Sequence, residues 1–248
     1  MERAAVLGRL TWRLAEVAEV VPETARTATL LLDVEGWPGH RAGQHIDVRL
    51  TAEDGYQAQR SYSIASAPGE PRLRLTVERL EDGEVSPYLV DELRPGDRLE
   101  IRGPVGGYFV WEPGSGRPVL LVAGGSGVVP LAAMLRHRLA AADTTPMRLL
   151  YSSRTPEDVI YADELTGAAN HGVEVIHTFT RAQPDGWTGY ARRIDAAMLA
   201  EAAFPPSQRP VAYVCGPTRL VETAADGLLA VGYDPAAVRT ERFGPTGG

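Results

Sequence analysis

The fold is decided by residues 118–135, which read PVLLVAGGSGVVPLAAML and contain no charged side chain. Eighteen uncharged positions approach the length of a membrane span. The run is interrupted, however, by Gly124-Gly125-Ser126-Gly127 and by Pro130. Glycine permits a tight turn, and proline suits the first turn of a helix. The stretch therefore predicts a buried β-strand, a glycine turn and an α-helix rather than a membrane span.

The sequence on the C-terminal side continues this alternation. Apolar runs without a polar partner at every second position are typical of parallel strands buried on both faces. Such runs lie at 119–123, 148–151, 174–179 and 211–215. Helical spacing of apolar residues separates them, at 131–142, 163–169 and 219–231. Alternating strands and helices predict a doubly wound α/β domain with five parallel strands.

The N-terminal part has a different pattern. Leu73, Leu75 and Val77 alternate with polar residues, which indicates a half-buried strand. Other short β-like runs, separated by turn clusters such as Pro95-Gly96-Asp97, lie at 27–32, 44–50, 60–64 and 98–102. Many short strands with regular turns predict an antiparallel barrel. We expect six strands in residues 1–112 and the α/β domain in residues 113–248, with the junction at 112–117.

Composition excludes several classes of protein. The net charge of −7 over 248 residues argues against nucleic acid or an anionic membrane as partner. No secretory signal is evident, so a cytoplasmic protein is expected, and we expect a monomer. Cys215 is the single cysteine, which excludes an internal disulfide and a four-cysteine iron–sulfur or zinc site. The five histidines show no ligand spacing, so no metal site is predicted.

The glycine turn at 124–127 suits a pyrophosphate, because glycines let backbone N–H groups approach it and a helix N-terminus favours negative charge. The usual GxGxxG fingerprint would place glycine where Pro130 stands. The next strand ends in Ser152-Ser153-Arg154 rather than in an acid, and Arg181 closes the strand after it. A hydroxyl and guanidinium groups suit a 2′-phosphate, hence NADPH rather than NADH. A purely structural turn and solvated arginines remain alternatives.

Three further clusters could bind ligands. Arg60-Ser61-Tyr62-Ser63 could hold a phosphate and cover a planar ring. Gly83-Glu84-Val85-Ser86, before a short apolar helix predicted at 87–93, could bind an anion. Cys215-Gly216-Pro217 ends a predicted strand, where ligands sit in doubly wound sheets. Strand-surface residues, an ordinary N-cap and a buried structural cysteine would explain the same clusters without function.

Along the chain the motifs follow in the order Arg60-x-Tyr62-Ser63, Gly83-x-x-Ser86, Gly103-Pro104-x-Gly106, Gly125-Ser126-Gly127-x-x-Pro130 and Cys215-Gly216-Pro217. This order resembles the ferredoxin–NADP reductase family, and the resemblance covers essentially the whole chain. The resemblance implies that the barrel binds FAD and that the α/β domain binds NADPH, with NADH possible. It also implies hydride transfer from nicotinamide C4 to flavin N5. The electrons would then pass to a separate acceptor protein, such as a ferredoxin or a P450 system.

The resemblance also assigns roles to individual residues. In the barrel it implies that Arg60 pairs with the flavin pyrophosphate, Tyr62 stacks on the ring, Ser63 lies near N5 and Val77 offers backbone contacts. Ser63, Cys215 and Glu241 are the implied catalytic residues, and Phe243, within 241–244, lies at the other flavin face. The complete set of predicted cofactor-binding residues is Arg60, Ser61, Tyr62, Ser63, Val77, Gly83, Val85, Ser86, Gly125, Ser126, Gly127, Ser153, Arg154, Arg181, Cys215, Gly216 and Phe243.

Two other functions fit the same motifs. One is a flavin reductase or quinone diaphorase, which would use FAD as a dissociable substrate and need no protein partner. The other is a flavin-binding redox sensor or the electron-transfer subunit of a larger complex. The known subunit of that kind carries a C-terminal cysteine cluster, which this sequence lacks. FMN is an alternative flavin, since some similar proteins use it.

Overall fold

Six antiparallel strands form the N-terminal part of the structure, a computed structural model that describes residues 10–52 and 54–243. The strands are β1 (Trp12–Thr24), β2 (Thr27–Val34), β3 (His45–Thr51), β4 (Gln57–Ser63), β5 (Leu73–Glu78) and β6 (Arg98–Val105). They lie in the order β4-β3-β6-β1-β2-β5. An antiparallel bridge between Ile64 and Leu75 joins the two end strands. The predicted six-stranded barrel is confirmed.

The barrel is closed over a short stretch. Within the described residues, the ladder between its end strands consists of the Ile64–Leu75 bridge and the hydrogen bond from Ala65 N to Arg74 O, 2.9 Å long. Most of β4 pairs on one side alone, with β3. The opening that this leaves between β4 and β5 is called the barrel gap below.

Five parallel strands form the second sheet. They are β7 (Val119–Gly124), β8 (Met147–Ser153), β9 (Val173–Phe179), β10 (Val211–Pro217) and β11 (Val238–Phe243), in the order β11-β10-β7-β8-β9. The helices are α1 (Val128–Ala140), α2 (Ala162–Ala168), α3 (Ala196–Ala202) and α4 (Thr218–Ala230). Alternate strand residues pack against α1 and α2 on one face and against α3 and α4 on the other. The predicted doubly wound domain is confirmed.

The predicted elements differ from the observed ones in a few places. Strands β1 and β11 and helix α3 have no predicted counterpart. Two register shifts break the period-2 pattern of β1, and β11 is an edge strand with three charged residues. The apolar helix predicted at 87–93 is a single π-helical turn, Tyr88–Glu92. Stretch 118–135 forms strand β7, a turn and the start of α1, and no helix in the described part of the chain could cross a membrane.

The barrel and the α/β domain share a hydrophobic core. Phe109 and Trp111, from the link between β6 and β7, are buried with α1 and the facing side of the second sheet. The Tyr213 hydroxyl donates to the carbonyl of Val110 over 2.8 Å. The link therefore fixes the two parts against each other. The boundary at 112/113 falls within it and stays a prediction.

The glycine turn after β7 and the end of β10 meet backbone to backbone. A β-carbon on Gly127 would overlap the carbonyl oxygen of Cys215 and lie 2.8 Å from the Cα of Gly216. A β-carbon on Gly216 would lie 3.2 Å from the backbone nitrogen of Gly124. Glycine is required at 127 because no side-chain atom fits between the start of α1 and β10.

This packing predicts different effects for two glycine-to-alanine substitutions. Gly127→Ala should lower the free energy of unfolding by about 1–3 kcal/mol or more, because backbone atoms must move to admit the methyl group. Gly167→Ala is the matched control, since nothing lies within 4 Å of its β-carbon position in α2. That variant should be neutral or up to about 1 kcal/mol more stable. Urea unfolding measures both, and equal stability of the two variants would contradict the prediction.

Candidate functional site

A cleft of about 470 Å³ opens where the carboxyl ends of β7, β8 and β10 face the barrel. In a doubly wound sheet, ligands bind at this edge, near the point where the strand order reverses. Here the reversal lies between β7 and β10. The lining residues are Thr24, Arg26, Thr27, Glu78, Gly124, Gly125, Ser152, Ser153, Arg154, Asp158, Ile160, Thr180, Arg193, Ile194, Pro217, Arg219, Leu220, Thr223 and Phe243.

The predicted glycine turn forms the floor of this cleft. Gly125 has φ +53°, in the left-handed region that favours glycine. Its β-carbon position lies 3.8 Å from Oε2 of Glu78, at the end of barrel strand β5. Ser126 lies between Gly125 and Gly127 in the 3₁₀ turn that leads into α1. The turn thus meets the barrel on one side and Cys215-Gly216 on the other.

Ser153 carries a hydroxyl that the described part of the protein leaves unpaired at the wall of the cleft. It is 5% exposed, and its hydroxyl oxygen is buried without a hydrogen-bond partner among the described residues. A buried hydroxyl left unpaired costs about 1–3 kcal/mol. Because Ser153 lines the cleft, a nucleotide oxygen could accept this hydrogen bond. The cleft therefore fits the nicotinamide nucleotide that the motifs imply.

Arginines give the cleft a positive balance. Arg154 lines it as predicted, and its guanidinium donates two hydrogen bonds, 3.0 and 3.1 Å long, to Asp158. Its Nη2 also lies 4.0 Å from Glu78. The lining includes four arginines against two carboxylates, a balance of +2 in a chain of net charge −7. A group of two negative charges is attracted to such a site.

Three of these arginines, Arg26, Arg193 and Arg219, were not among the residues predicted from the sequence. They come from three separate segments, so no local spacing connects them. Arg219 stands at the start of α4, two residues after the Cys215-Gly216-Pro217 motif, which is the one signal that could have indicated it. Arg181 has an exposed side chain and is not among the described residues that line the cleft. Its backbone N–H nevertheless donates to the carbonyl of Arg154 over 2.9 Å, so Arg181 lies next to the cleft, and its role stays a prediction.

The barrel gap brings together the predicted flavin contacts. Arg60 and Tyr62 pair with Val48 and Ile46, both fully buried in the barrel core, so their side chains lie on the inward face of β4 at the gap. Tyr62 packs against this core, and burial raises the pKa of its phenol. The gap thus presents an aromatic ring and an exposed guanidinium side by side.

Ser61 and Ser63 lie on the other face of β4 from Arg60 and Tyr62. The Ser61 hydroxyl donates to Oδ1 of Asp47 over 2.6 Å, and Asp47 also accepts from Arg102. The Ser61 hydroxyl is thus held on the other face of β4 from the gap, and its predicted role in cofactor binding stays a prediction. Ser63 is half-buried at the end of β4, opposite His45.

The loop at 83–86 reaches the same gap. Arg60 Nη2 lies 2.9 Å from Oε2 of Glu84, and both side chains are about half exposed. Ser86 is buried and its hydroxyl accepts from the backbone N–H of Leu80 over 3.0 Å. A β-carbon on Gly83 would lie 2.8 Å from that hydroxyl. Val85 is buried and its carbonyl accepts from Leu89 in the π-helical turn. The predicted anion loop therefore faces the predicted arginine.

Val77 joins the gap to the cleft. It lies on β5, one residue before Glu78, and its side chain is buried in the barrel core. Its outward neighbour Thr76 is also buried, at 4% exposure. Both faces of this strand are therefore covered, and its end lies beside the glycine turn of the α/β domain.

Cys215 and Glu241 are paired residues on β10 and β11. Cys215 is 2% exposed. Burial, reinforced by the Glu241 carboxylate, raises the pKa of the thiol well above its usual value. Burial also raises the pKa of the Glu241 carboxyl to about 7. The thiol is therefore protonated and unreactive at neutral pH, whereas the carboxyl can exchange a proton there.

Phe243 ends β11 and lines the cleft with 36% of its surface exposed. Its aromatic ring is thus placed to pack against a ligand ring bound between the two domains. Gly244, the last residue of the predicted tail motif, lies outside the described residues. Among those residues, no group of three or more His, Cys, Asp or Glu is arranged to hold a metal ion.

Known proteins share this architecture. Residues 12–110 match the family described as the oxidoreductase FAD-binding domain, and residues 121–226 match the oxidoreductase NAD-binding domain. Ferredoxin–NADP reductase B of Sorangium cellulosum is 39% identical over 77% of this chain and 80% of its own length.

Two other proteins extend the comparison. The glycine betaine monooxygenase reductase subunit of Pseudomonas aeruginosa is 30% identical over 95% of this chain and 66% of its own length. The crystal structure of an Amycolatopsis cytochrome P450 reductase has a TM-score of 0.82 and 26% identity, and covers 98% of this chain and 74% of its own. Together with the cleft and the barrel gap, these matches show that the chain belongs to the ferredoxin–NADP reductase family of FAD- and NAD(P)-binding oxidoreductases.

Proposed function

We propose that this oxidoreductase takes electrons from NADPH and passes them through FAD to a separate one-electron acceptor protein. The observation that carries the proposal is the contact between strand β5 and the glycine turn, where Oε2 of Glu78 lies 3.8 Å from the β-carbon position of Gly125, because it joins the nucleotide cleft to the barrel. Two ring systems bound in the cleft and in the barrel gap would meet beside that contact. The test is the visible spectrum of the purified protein, followed by steady-state rates with NADPH and NADH.

Bound FAD would supply the redox chemistry, because it accepts a hydride and can release the two electrons singly. The chain's own residues bind, orient and exchange protons. Arg60, with the backbone of Val85 and Ser86, would hold the pyrophosphate, and Tyr62 and Phe243 would cover the ring. Ser63 would hydrogen-bond to the ring, and Cys215 would pack beside the nicotinamide as a neutral thiol. Glu241 would pass a proton to solvent.

A ferredoxin, a cytochrome P450 or an oxygenase component is the acceptor class that we propose. The relatives support this choice, since their names refer to a ferredoxin, a monooxygenase and a cytochrome P450. The sequence contains one cysteine, so it cannot by itself ligate a four-cysteine iron–sulfur centre. A cytoplasmic location and a monomeric state remain predictions.

One observation favours a second function, that of a reductase with dissociable flavin. The Arg60 side chain, predicted to bind pyrophosphate, is paired with Glu84. Flavin binding must break or rearrange this ion pair, and this lowers the net free energy that Arg60 contributes to flavin binding. Gel filtration of the purified protein distinguishes the two functions. FAD that elutes with the protein supports the electron-transfer function, and FAD that separates from it supports the alternative.

Arg60→Ala should weaken FAD binding about 10- to 150-fold, because a charge-assisted hydrogen bond contributes about 1.5–3 kcal/mol. Quenching of flavin fluorescence on titration measures the Kd. Arg72→Ala is the matched control, since Arg72 forms a similarly exposed ion pair with Asp33 on the barrel surface. Equal Kd values in all three proteins would show that Arg60 does not bind FAD.

The cleft predicts a preference of about 100-fold or more for NADPH over NADH in kcat/KM, because a 2′-phosphate meets several guanidinium groups. Arg154→Ala and Arg193→Ala should each reduce this preference about tenfold, which corresponds to about 1.4 kcal/mol. Arg192→Ala is the control, since Arg192 is also paired with an aspartate, Asp195, but is not among the described residues that line the cleft. Equal kcat/KM values for the two nucleotides in the wild-type protein would refute the preference.

Glu241 predicts a specific pH dependence of stability. Its pKa is about 7 in the folded protein and about 4.3 in an unfolded chain. Glu241 therefore favours the folded state most below about pH 4, where it is protonated in both states. This stability is lost as the pH rises to 7, because the carboxyl ionises more easily in the unfolded chain. Glu241→Gln should be more stable than the wild-type protein at pH 8, by up to about 3 kcal/mol, and about equal at pH 4.5. Urea unfolding at both pH values measures this, and a constant difference would contradict it.

A further inference from the structure

Two side chains of the α/β domain contact the barrel at the end of the barrel gap. The hydroxyl of Tyr161, just before α2, donates to Oγ1 of Thr76 on β5 over 2.5 Å. Arg136, on α1, donates to the carbonyl of Ala65, two residues past the end of β4, also over 2.5 Å. The α/β domain thus contacts β5 beside the gap and the segment after β4 where the barrel is closed.

The two side chains also bind each other. The guanidinium carbon of Arg136 lies 4.4 Å from the centre of the Tyr161 ring, a distance at which a cation is attracted to an aromatic face. Glu164 accepts two further hydrogen bonds from Arg136, 2.8 and 2.5 Å long. Tyr161 and Arg136 therefore form one unit, called the Tyr161–Arg136 clamp below.

The clamp is continued by a buried chain of hydroxyl groups. Thr76 Oγ1 lies 2.8 Å from Thr29 Oγ1, and Thr29 donates to Glu23 over 2.6 Å. Tyr161 is 5% exposed, and burial raises the pKa of its phenol, so it stays protonated and can donate. Each hydroxyl in the chain can accept from one neighbour and donate to the next. A fully satisfied buried network holds its members in one arrangement.

The backbone at Tyr161 indicates that this position is held by its surroundings. Its φ of +62° lies in the left-handed region, which is unfavourable for a bulky residue and costs about 1–3 kcal/mol. The residue before it, Ile160, lines the nucleotide cleft, and Asp158 in the same segment binds Arg154. The segment therefore connects the wall of the cleft directly to Thr76.

We propose that Tyr161 is a positioning residue for hydride transfer, which it serves by holding β5 against the nucleotide cleft through Thr76. The inference rests on the proposed function, because it requires nicotinamide and flavin to meet beside β5. Thr76 precedes Val77 and Glu78 on this strand, so a shift at Thr76 moves the barrel side of the site relative to the cleft. A misplacement of about 1 Å can slow a reaction about 100-fold.

The test is stopped-flow reduction of bound FAD by NADPH in the full-length protein. Two variants remove a hydroxyl with little change of shape: Tyr161→Phe, and Thr76→Val, because valine has the same shape as threonine. In each, NADPH should reduce the bound FAD at least tenfold more slowly than in the wild-type protein. Thr76→Ser retains the hydroxyl and should stay within about twofold of it. Tyr233→Phe is the matched control, because Tyr233 is 4% exposed and its hydroxyl binds the carbonyl of Phe204 within the α/β domain. Its rate should not change.

Two further readouts separate positioning from general damage. The KM for NADPH and the FAD content should change less than about threefold in Tyr161→Phe, while the primary deuterium isotope effect on reduction increases. Binding of NADP⁺, which involves no turnover, should perturb the visible spectrum of oxidised FAD less in this variant at an unchanged Kd. If Tyr161→Phe does not retain FAD, the comparison of the reduction rates of Thr76→Val and Thr76→Ser tests the proposal instead.

The possible failures are distinct. If NADPH does not reduce the wild-type protein, the proposed function is refuted, and the role of the clamp with it. If the wild-type protein is reduced and Tyr161→Phe or Thr76→Val matches its rate, the positioning role alone is refuted. Slow reduction in Thr76→Ser, equal to that in Thr76→Val, would also refute it, because the hydroxyl would then not be the group that matters.

Discussion

The carbonyl of Cys215 lies against the Cα of Gly127, so closely that a β-carbon could not be placed between them. This approach brings the end of β10 against the start of α1, at the point where the strand order of the second sheet reverses. The free N–H groups at the start of a helix and the end of a neighbouring strand then face one cleft. The shape of the nucleotide site and the burial of Cys215 both follow from this contact.

The barrel completes the site because it cannot separate freely from the α/β domain. A common core contains Phe109 and Trp111 from the link together with the apolar face of α1. Close packing in such a core transmits displacement rather than absorbing it. Strand β5 is consequently buried on both faces, with Val77 directed into the barrel and Thr76 covered by Tyr161. The strand that borders the barrel gap is thus fixed from both sides.

Electrostatics divide the site into two regions. The nucleotide cleft has a balance of +2 within an acidic chain, which attracts phosphate groups. At the far end of the same edge, Cys215 is buried and Glu241 is half-buried, and burial favours their uncharged forms. A hydride-transfer site needs both regions, since the nucleotide is held by its charges but reacts through an uncharged ring. The separation arises because Cys215 and Glu241 lie on the paired strands β10 and β11, whereas the arginines come from other segments that line the cleft.

The sequence alone determined the features that depend on neighbouring residues. These are the strand–turn–helix at 118–135, the alternation at 73–78, and the local motifs around Tyr62, Ser86 and Cys215, whose order identified the family. Tertiary structure decided what depends on distant segments. It brought Arg26, Arg193 and Arg219 to one cleft, turned Ser61 towards Asp47, and placed Tyr161 against Thr76. Local patterns follow from the geometry of one strand or helix, whereas contacts between segments are set by packing, which no short-range spacing records.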